Sequence, residues 1–323
     1  MNHREQRPLT HLFFSDVHAN YQALLAFAEH VKSLEGPVQL YFLGDLVGYY
    51  DFDGRTLDLF CELRRTYPFQ MVLGNHDAKF LNTYFGTAYE VQCEIPFSGT
   101  VTENETLRAA LAEQLVESKL VIETTIGAHK VIISHGGMAD PLNHYFYPDL
   151  NYLAAFAEHY KHPAVYVHGH THHDFCHVDH HMQLKIVNVG SLGMPRNKDV
   201  FATFVEWREG EQLIFKKLVY DLDAQFEANL LLANPIRNRV YFAGASPYLG
   251  QDLKCFTLSE QAAICDTYRD SLAFKRLILV QRRHKILKHA DGYVLVRWME
   301  TNKVTETKHS TLDEIVKELH TFV

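Results

Sequence analysis

The chain has 323 residues, of which 47% are hydrophobic and 22% charged, with a formal net charge of −8. This is the composition of a folded globular protein with enough apolar residues for a full core, and it excludes a disordered or low-complexity chain. No stretch approaches the roughly 20 apolar residues of a bilayer-spanning helix. There is no apolar signal core at the N-terminus, and the five cysteines are scattered without a Cys-x-x-Cys pair, so a cytoplasmic, reducing location without disulfides is expected.

The first apolar run, 9–14, is predicted as a strand and stops at Ser15-Asp16-Val17-His18-Ala19-Asn20. Asn20 is a suitable N-cap for a helix through Ser33, with Leu24, Leu25, Phe27, Ala28 and Val31 on one face. Gly36-Pro37 breaks the chain, and a second strand, 38–43, runs into Gly44-Asp45. An amphipathic helix is predicted over 56–65. A third strand, 70–73, ends at Gly74-Asn75-His76-Asp77, which is expected to form the loop at its end. Strand–helix–strand–helix–strand favours a largely parallel sheet with buried strands.

Residues 78–101 show no clear period and are expected to be an insertion packed on the surface, the alternative being a lid beside a site. Thr102-x-x-Glu105 reads as a capping box opening a helix to about Ser118. Strands are predicted over 120–125 and 129–134, forming a hairpin around Gly127, the second ending in His135-Gly136-Gly137. A helix over 149–159 precedes a strand, 163–167, that runs into His168-Gly169-His170-Thr171-His172-His173. Another strand, 184–189, leads to Gly190-Ser191, and a hairpin spans 200–220 around Gly210.

The texture changes near residue 225. Residues 1–225 hold 17 Lys+Arg against 28 Asp+Glu, a charge of −11; residues 226–323 hold 14 against 11, or +3. The division expected is a domain over 1–225 and an α+β extension over 226–323. The extension carries helices at 224–233 and 257–275, strands at 277–280, 293–299 and 304–309, and a last helix capped by Thr311-x-x-Glu314. It shows no chemical motif. Arg276, Arg282, Arg283, Lys285 and Lys288 form a loose basic cluster without the aromatic interleaving of a nucleic-acid stacking platform, so oligomerisation or a structural role is favoured over nucleic-acid binding.

Asp16, His18, Asp45, Asn75, His76, His135, His168 and His170 all follow apolar runs. Strand ends in a parallel sheet open on one edge, so residues distant in sequence converge there. Carboxylates, imidazoles and an amide oxygen without a thiolate suit a hard-to-borderline divalent ion such as Mn, Fe, Zn or Ni. Seven ligands drawn from these eight residues are too many for one ion and suit two. Each motif alone is commonplace: Asp179-x-His181 repeats the first spacing and is given no role.

The series Asp-x-His, Gly-Asp, Gly-Asn-His-Asp, Ser-His-Gly-Gly and Gly-His-Thr-His resembles the calcineurin-like metallophosphoesterase family over roughly residues 10–220. The resemblance implies two mixed β-sheets packed face to face and flanked by helices. It implies one metal on Asp16, His18, Asp45 and His170, and a second on Asp45, Asn75, His135 and His168, with Asp45 bridging. A hydroxide held between the metals would attack phosphorus, with His76 as general acid and Asn75 also donating to phosphate. Asp77 either orients His76 or sits on the surface; His172 and His173 face substrate or solvent.

The stretches Ser-Asp-Val-His-Ala-Asn and Gly-Asp-Leu-Val-Gly-Tyr are similar to the compact bacterial and archaeal phosphodiesterase-type branch, with Ala19 in place of a glycine and Tyr50-Asp51 in place of Gly-Pro. Gly48-Tyr49 and Val72-Leu73 stand where related phosphatases carry arginines, the bidentate phosphate clamps. A phosphodiester or small phosphomonoester is the expected substrate. The rival readings are an inactive scaffold on the same fold and a nuclease-like enzyme using residues 226–323.

Overall fold

The computed structural model describes residues 8–91, 101, 103–147, 164–181, 183–196, 201–221, 224–225, 283–289, 292–298, 304–311, 314 and 318. The chain divides into two compact units, one of residues 1–194 with 201–220 and one of 195–200 with 221–323.

The first unit holds two five-stranded mixed sheets. In one, β1 (Thr10–Phe14), β2 (Val38–Phe42) and β3 (Phe69–Met71) run parallel, in the order β10-β9-β1-β2-β3. Here β9 (Ala202–Arg208) is antiparallel to β1, and β10 (Ile214–Leu218) to β9. The other has the order β4-β5-β6-β8-β7, from β4 (Val121–Ile126), β5 (His129–Ser134), β6 (Ala164–His168), β7 (Asp174–Asp179) and β8 (Leu184–Val189). Its inner strands β5, β6 and β8 are parallel and its outer ones antiparallel.

The sheets pack face to face. Phe13, Tyr41, Val205 and Trp207 of the first share one core with Val131, Ile133, Val165, Val167, Val187 and Val189 of the second. The alternation along each strand sends the other residues outward. Phe14 and Phe42 face helices α1 (Tyr21–Ser33) and α2 (Gly54–Thr66), with Phe14 against Phe27 at 4.4 Å and Phe42 against Phe60 at 5.1 Å between ring centroids. Asn20 caps α1, accepting from Ala23 N at 3.0 Å, as its sequence position predicts. This is the two-sheet sandwich flanked by helices that the sequence implied.

Three elements depart from expectation. The Gly-Asn-His-Asp stretch is not a loop: Gly74 caps α3 (Asn75–Phe85), whose first turn is Asn75-His76-Asp77. The following residues therefore begin as a helix that buries Ala78, Phe80 and Leu81 and ends at the left-handed Gly86. Helix α4 (Glu105–Leu115) is capped by Asn104, which accepts from Leu107 N at 3.0 Å; Thr102 lies outside the described residues. Strand β7 was not anticipated, because its alternation is polar and half-exposed.

The second unit contains an antiparallel meander of β11 (Arg283–His289), β12 (Gly292–Trp298) and β13 (Val304–His309). The last two match predicted strands, and β11 contains Arg283, Lys285 and Lys288 of the basic cluster. Beyond β13, Glu314 Oε2 accepts from Ser310 N at 2.8 Å, at the predicted capping box. The helices expected at 149–159 and 257–275, residues 226–233 of the one expected at 224–233, the strand at 277–280, and Arg276 and Arg282 fall outside the described residues, while 224 and 225 are helical. Among the described residues no helix is long and apolar enough to cross a membrane, and Cys61 and Cys176 carry free thiols.

Candidate metal centre

The parallel strands of the first unit deliver Asp16 and His18 after β1, Asp45 after β2, Asn75 and His76 after β3, His135 after β5, and His170 and His172 after β6. Their loops turn sharply. Asp16, His18, Asp45, His170 and His172 all hold φ between 49° and 65°, a left-handed conformation uncommon outside glycine. Clustered strain of this kind is held in place by the surrounding fold and is typical of functional loops. The loops also touch closely: a Cβ on Gly74 would strike Asp45, and one on Gly169 would lie 2.6 Å from Asp16 Oδ2.

Each carboxylate commits one oxygen to the backbone and keeps the other inside the site. Asp16 Oδ2 accepts from His170 N at 3.0 Å, and Asp45 Oδ1 from His76 N at 2.9 Å. Asp16 Oδ1 is buried without a hydrogen bond and lies 3.1 Å from His172 Nε2 and 3.6 Å from His18 Nε2. Asp45 Oδ2 lies 3.6 Å from His18 Nε2 and 3.4 Å from His135 Nε2.

The imidazoles follow the same rule. Nδ1 of His18, His135 and His172 donates to the carbonyls of Val47, Leu43 and Met194 at 2.9, 2.7 and 2.7 Å. His170 donates through Nε2 to the Asn143 carbonyl at 3.0 Å. Fixing one nitrogen as the donor leaves the other as a ligand atom, the usual support of a metal-binding histidine. The inward nitrogens then face one another, His18 Nε2 and His172 Nε2 at 3.1 Å, His135 Nε2 and His170 Nδ1 at 3.2 Å. Two lone pairs at such a distance repel unless a cation, a proton or a metal, lies between them.

The atoms sort into two groups. Asp16 Oδ1, His18 Nε2 and His172 Nε2 form one; His135 Nε2, His170 Nδ1 and Asn75 Oδ1, which is 3.1 Å from His135 Nε2, form the other. Asp45 Oδ2 stands between them. Ligand atoms of Asp16, His18 and His172, and of Asp16, Asp45 and His135, lie within 4.8 Å of one another, compact enough for a metal ion. The donor set, nitrogen and oxygen without sulfur, fits a divalent cation of the Mn, Fe, Zn or Ni kind.

The histidines group differently from the expected ligand sets. His172, expected to face substrate or solvent, stands with Asp16 and His18, and His170 stands with His135 rather than with Asp16 and His18. His168 joins neither group. It is the last residue of β6, paired with Asn188, so its side chain points to the same side as Tyr166 and away from Val167. It is caged by Tyr166, Phe146 and Phe175 at 5.4–5.6 Å. Burial pushes it down to about 3, so it is neutral, and its Nε2 has no hydrogen-bond partner. His173 is half-buried, 3.3 Å from Tyr147 Oη through Nδ1.

Electrostatics agree with a cation-binding pocket. Burial opposes the charge on Asp16, but His172 and its neighbours outweigh burial and hold the carboxyl well below the usual range. Asp45 is likewise held low, chiefly by His135 against its own burial. Burial also opposes a charge on His135, yet the carboxylates of Asp45 and Asp16 lift it to about 9, so in the metal-free protein a proton occupies its ligand nitrogen. His170 and His76 are pushed down by burial to about 4 and about 3.

Asp77 is fully buried and does not sit on the surface. Its carboxylate accepts from the backbone N–H of Asp45, Leu46 and Val47 at 2.7, 2.9 and 3.3 Å and of Gly74 at 3.4 Å, tying the Asp45 loop to the start of α3. Burial and the neighbouring Asp45 charge push it up to about 7, against the pull of these amides. Tyr49 covers the site, its ring 4.5 Å from His18 and 5.0 Å from His76. Gly48 lies against His76 so closely that a Cβ there would collide with Nδ1. Neither the Asp77 anchor nor the Gly48 contact was anticipated; the only sequence signal was the carboxylate three residues after a glycine N-cap.

A family model described as the calcineurin-like phosphoesterase superfamily domain matches residues 9–208. Among solved structures, a metallophosphoesterase from Sphaerobacter thermophilus is 22% identical, with a TM-score of 0.56, and covers 73% of this chain and 100% of its own. A hypothetical protein from Pyrococcus horikoshii is 18% identical, with a TM-score of 0.57, and covers 74% of this chain and 99% of its own. At such identities the likeness concerns the fold. No curated protein matches the chain.

Proposed function

The chain belongs to the calcineurin-like phosphoesterase superfamily, and from that premise we propose that it hydrolyses a phosphodiester or small phosphomonoester at a two-metal site. The observation that supports this most is the pair of facing ligand groups sharing Asp45 Oδ2. In this reading Asp16, His18 and His172 would hold one ion and Asn75, His135 and His170 the other, with Asp45 serving both. Two divalent ions so placed, when bound, would activate water and offset the charge of the phosphate.

The chain's own residues supply the rest. Asp77 holds the Asp45 loop in place through the backbone. His76 is placed as the general acid: its N–H is fixed by Asp45 and its ring is wedged between Gly48, Tyr49 and His18. Burial keeps the ring neutral in the absence of substrate. An anionic phosphoester beside the ring would favour its charged form, so the ring would take up a proton from solvent as substrate binds and pass it to the departing oxygen. Tyr49 and the buried ligands exclude bulk water.

The test is hydrolysis of bis(para-nitrophenyl) phosphate by the Mn-reconstituted protein. His76→Ala is expected to lower kcat by about 10²–10⁴-fold while metal content stays unchanged. Absence of turnover with any phosphoester in a protein that retains its metals would sink the reading.

A further inference from the structure

The stretches 46–50 and 71–74, which adjoin Asp45 and Asn75 in sequence, carry no basic side chain. Beyond the metal ions, the organic part of the molecule is a further source of binding energy for a substrate. The side chain best placed to meet that part is Tyr145. Its ring lies 4.0 Å from the ring of His170, a candidate ligand that is only 3% exposed, yet Tyr145 itself is 46% exposed. One region of the ring thus rests on the buried centre while another is open to solvent. An aromatic face open beside a candidate ligand offers a flat apolar surface that a substrate ring can cover.

The neighbourhood extends the same chemistry. Tyr147, two residues on and 39% exposed, packs at 5.9 Å against His173 and at 6.4 Å against Phe175. His173 is bound to the turn that carries His170 and His172, donating from Nδ1 to the Thr171 carbonyl at 2.9 Å. Tyr147 and His173 thus place further aromatic rings beside the turn that carries His170 and His172.

Resting on the phosphoesterase reading, we infer that Tyr145 is a specificity-determining stacking platform for a planar aromatic group carried by the substrate, either a nucleobase or an aryl ester group. A π-face recognises any flat ring and needs no sequence of hydrogen bonds, so the predicted preference is for aromatic over alkyl phosphoesters.

The experiment is calorimetric binding of adenosine monophosphate, phenyl phosphate and methyl phosphate to the metal-loaded full chain. It is carried out on wild type, Tyr145→Ala and Tyr145→Phe, with the KM and kcat of bis(para-nitrophenyl) phosphate hydrolysis alongside. Tyr145→Ala is expected to weaken the aromatic ligands by about tenfold, leave methyl phosphate unchanged, and raise KM more than it lowers kcat. Tyr145→Phe, which keeps the ring, should match wild type. Loss confined to adenosine monophosphate identifies a nucleobase; loss confined to phenyl phosphate identifies an aryl group. Equal weakening of methyl phosphate would show that the ring only props His170, and unchanged aromatic binding would remove the platform; either overturns the inference and leaves the proposed function standing. If wild type binds none of the three and hydrolyses nothing, the proposed function fails and the inference with it.

Discussion

Asp77→Ala probes how the centre is assembled. The carboxylate of Asp77 takes amide hydrogens from Asp45, Leu46 and Val47, and a longer one from Gly74, in a fully buried position. Removing it strands at least the two shortest donors, at 2.7 and 2.9 Å, away from water. Each stranded donor costs about 1–3 kcal/mol, and some relaxation and relief of charge burial offsets part of this, so a net loss of roughly 3 kcal/mol is expected. For a domain of this size that lowers Tm by about 6–12 °C. The loop that presents Asp45 loosens at the same time, so metal affinity falls as well, by about 10–100-fold as for other supports of ligands. Thermal unfolding of the metal-loaded protein, with metal content by elemental analysis, checks both. A variant within about 2 °C of wild type that keeps its metals would refute the assignment of Asp77 as the anchor of the loop.

The histidine register gives a second test: His172→Ala should cost about one metal per chain and at least 10²-fold in kcat, whereas His168→Phe, placed in an aromatic cage, should keep metal and most activity. The reverse pattern would restore His168 as a ligand. Gly48→Ala, at φ +96° and with its Cβ against His76 Nδ1, should lower kcat by about 10²-fold with metal retained; unchanged kcat would mean that His76 need not hold this position. Because the folded-state value of His135 is raised to about 9, above its ordinary 6.5, its proton stabilises the metal-free fold below pH 6.5. That contribution is lost as pH rises through about 9. Metal uptake at pH 7 must displace this proton, so calorimetry in buffers of different ionisation enthalpy should show about one proton released from this site and affinity that rises with pH; uptake independent of the buffer would count against His135 as a ligand.

Much of the sandwich was legible because its inner strands are short apolar runs ended by glycine or polar turn residues, and parallel strands buried on both faces have little other way to be written. Helix α3 was hidden by its own chemistry. Asn75, His76 and Asp77 look like a loop, and only the burial of Ala78, Phe80 and Leu81 shows the helical face. Strand β7 was missed because its pattern, Asp-Phe-Cys-His-Val-Asp, is polar and half-exposed at a sheet edge. The chemical content of the centre was likewise readable, since residue types at strand ends point to metal binding without coordinates. Its register was not. Histidines at 168, 170 and 172 have identical spacing, and choosing between them depends on whether β6 stops at Val167 or at His168. One further residue of strand pairing, His168 with Asn188, turns that side chain away from the centre, so that His170 stands in its place beside His135 and His172 in the place expected of His170. The anchor role of Asp77 rests on backbone amides, which leave no mark in a sequence.

The claim on which the rest depends is that Asp45 serves two metal ions at once. Elemental analysis of the Mn-reconstituted protein, wild type beside Asp45→Ala and His172→Ala, tests it directly. The account predicts two ions per chain in wild type, loss of both in Asp45→Ala and loss of one in His172→Ala. A single ion in wild type, or Asp45→Ala retaining a full ion at either group, would contradict it.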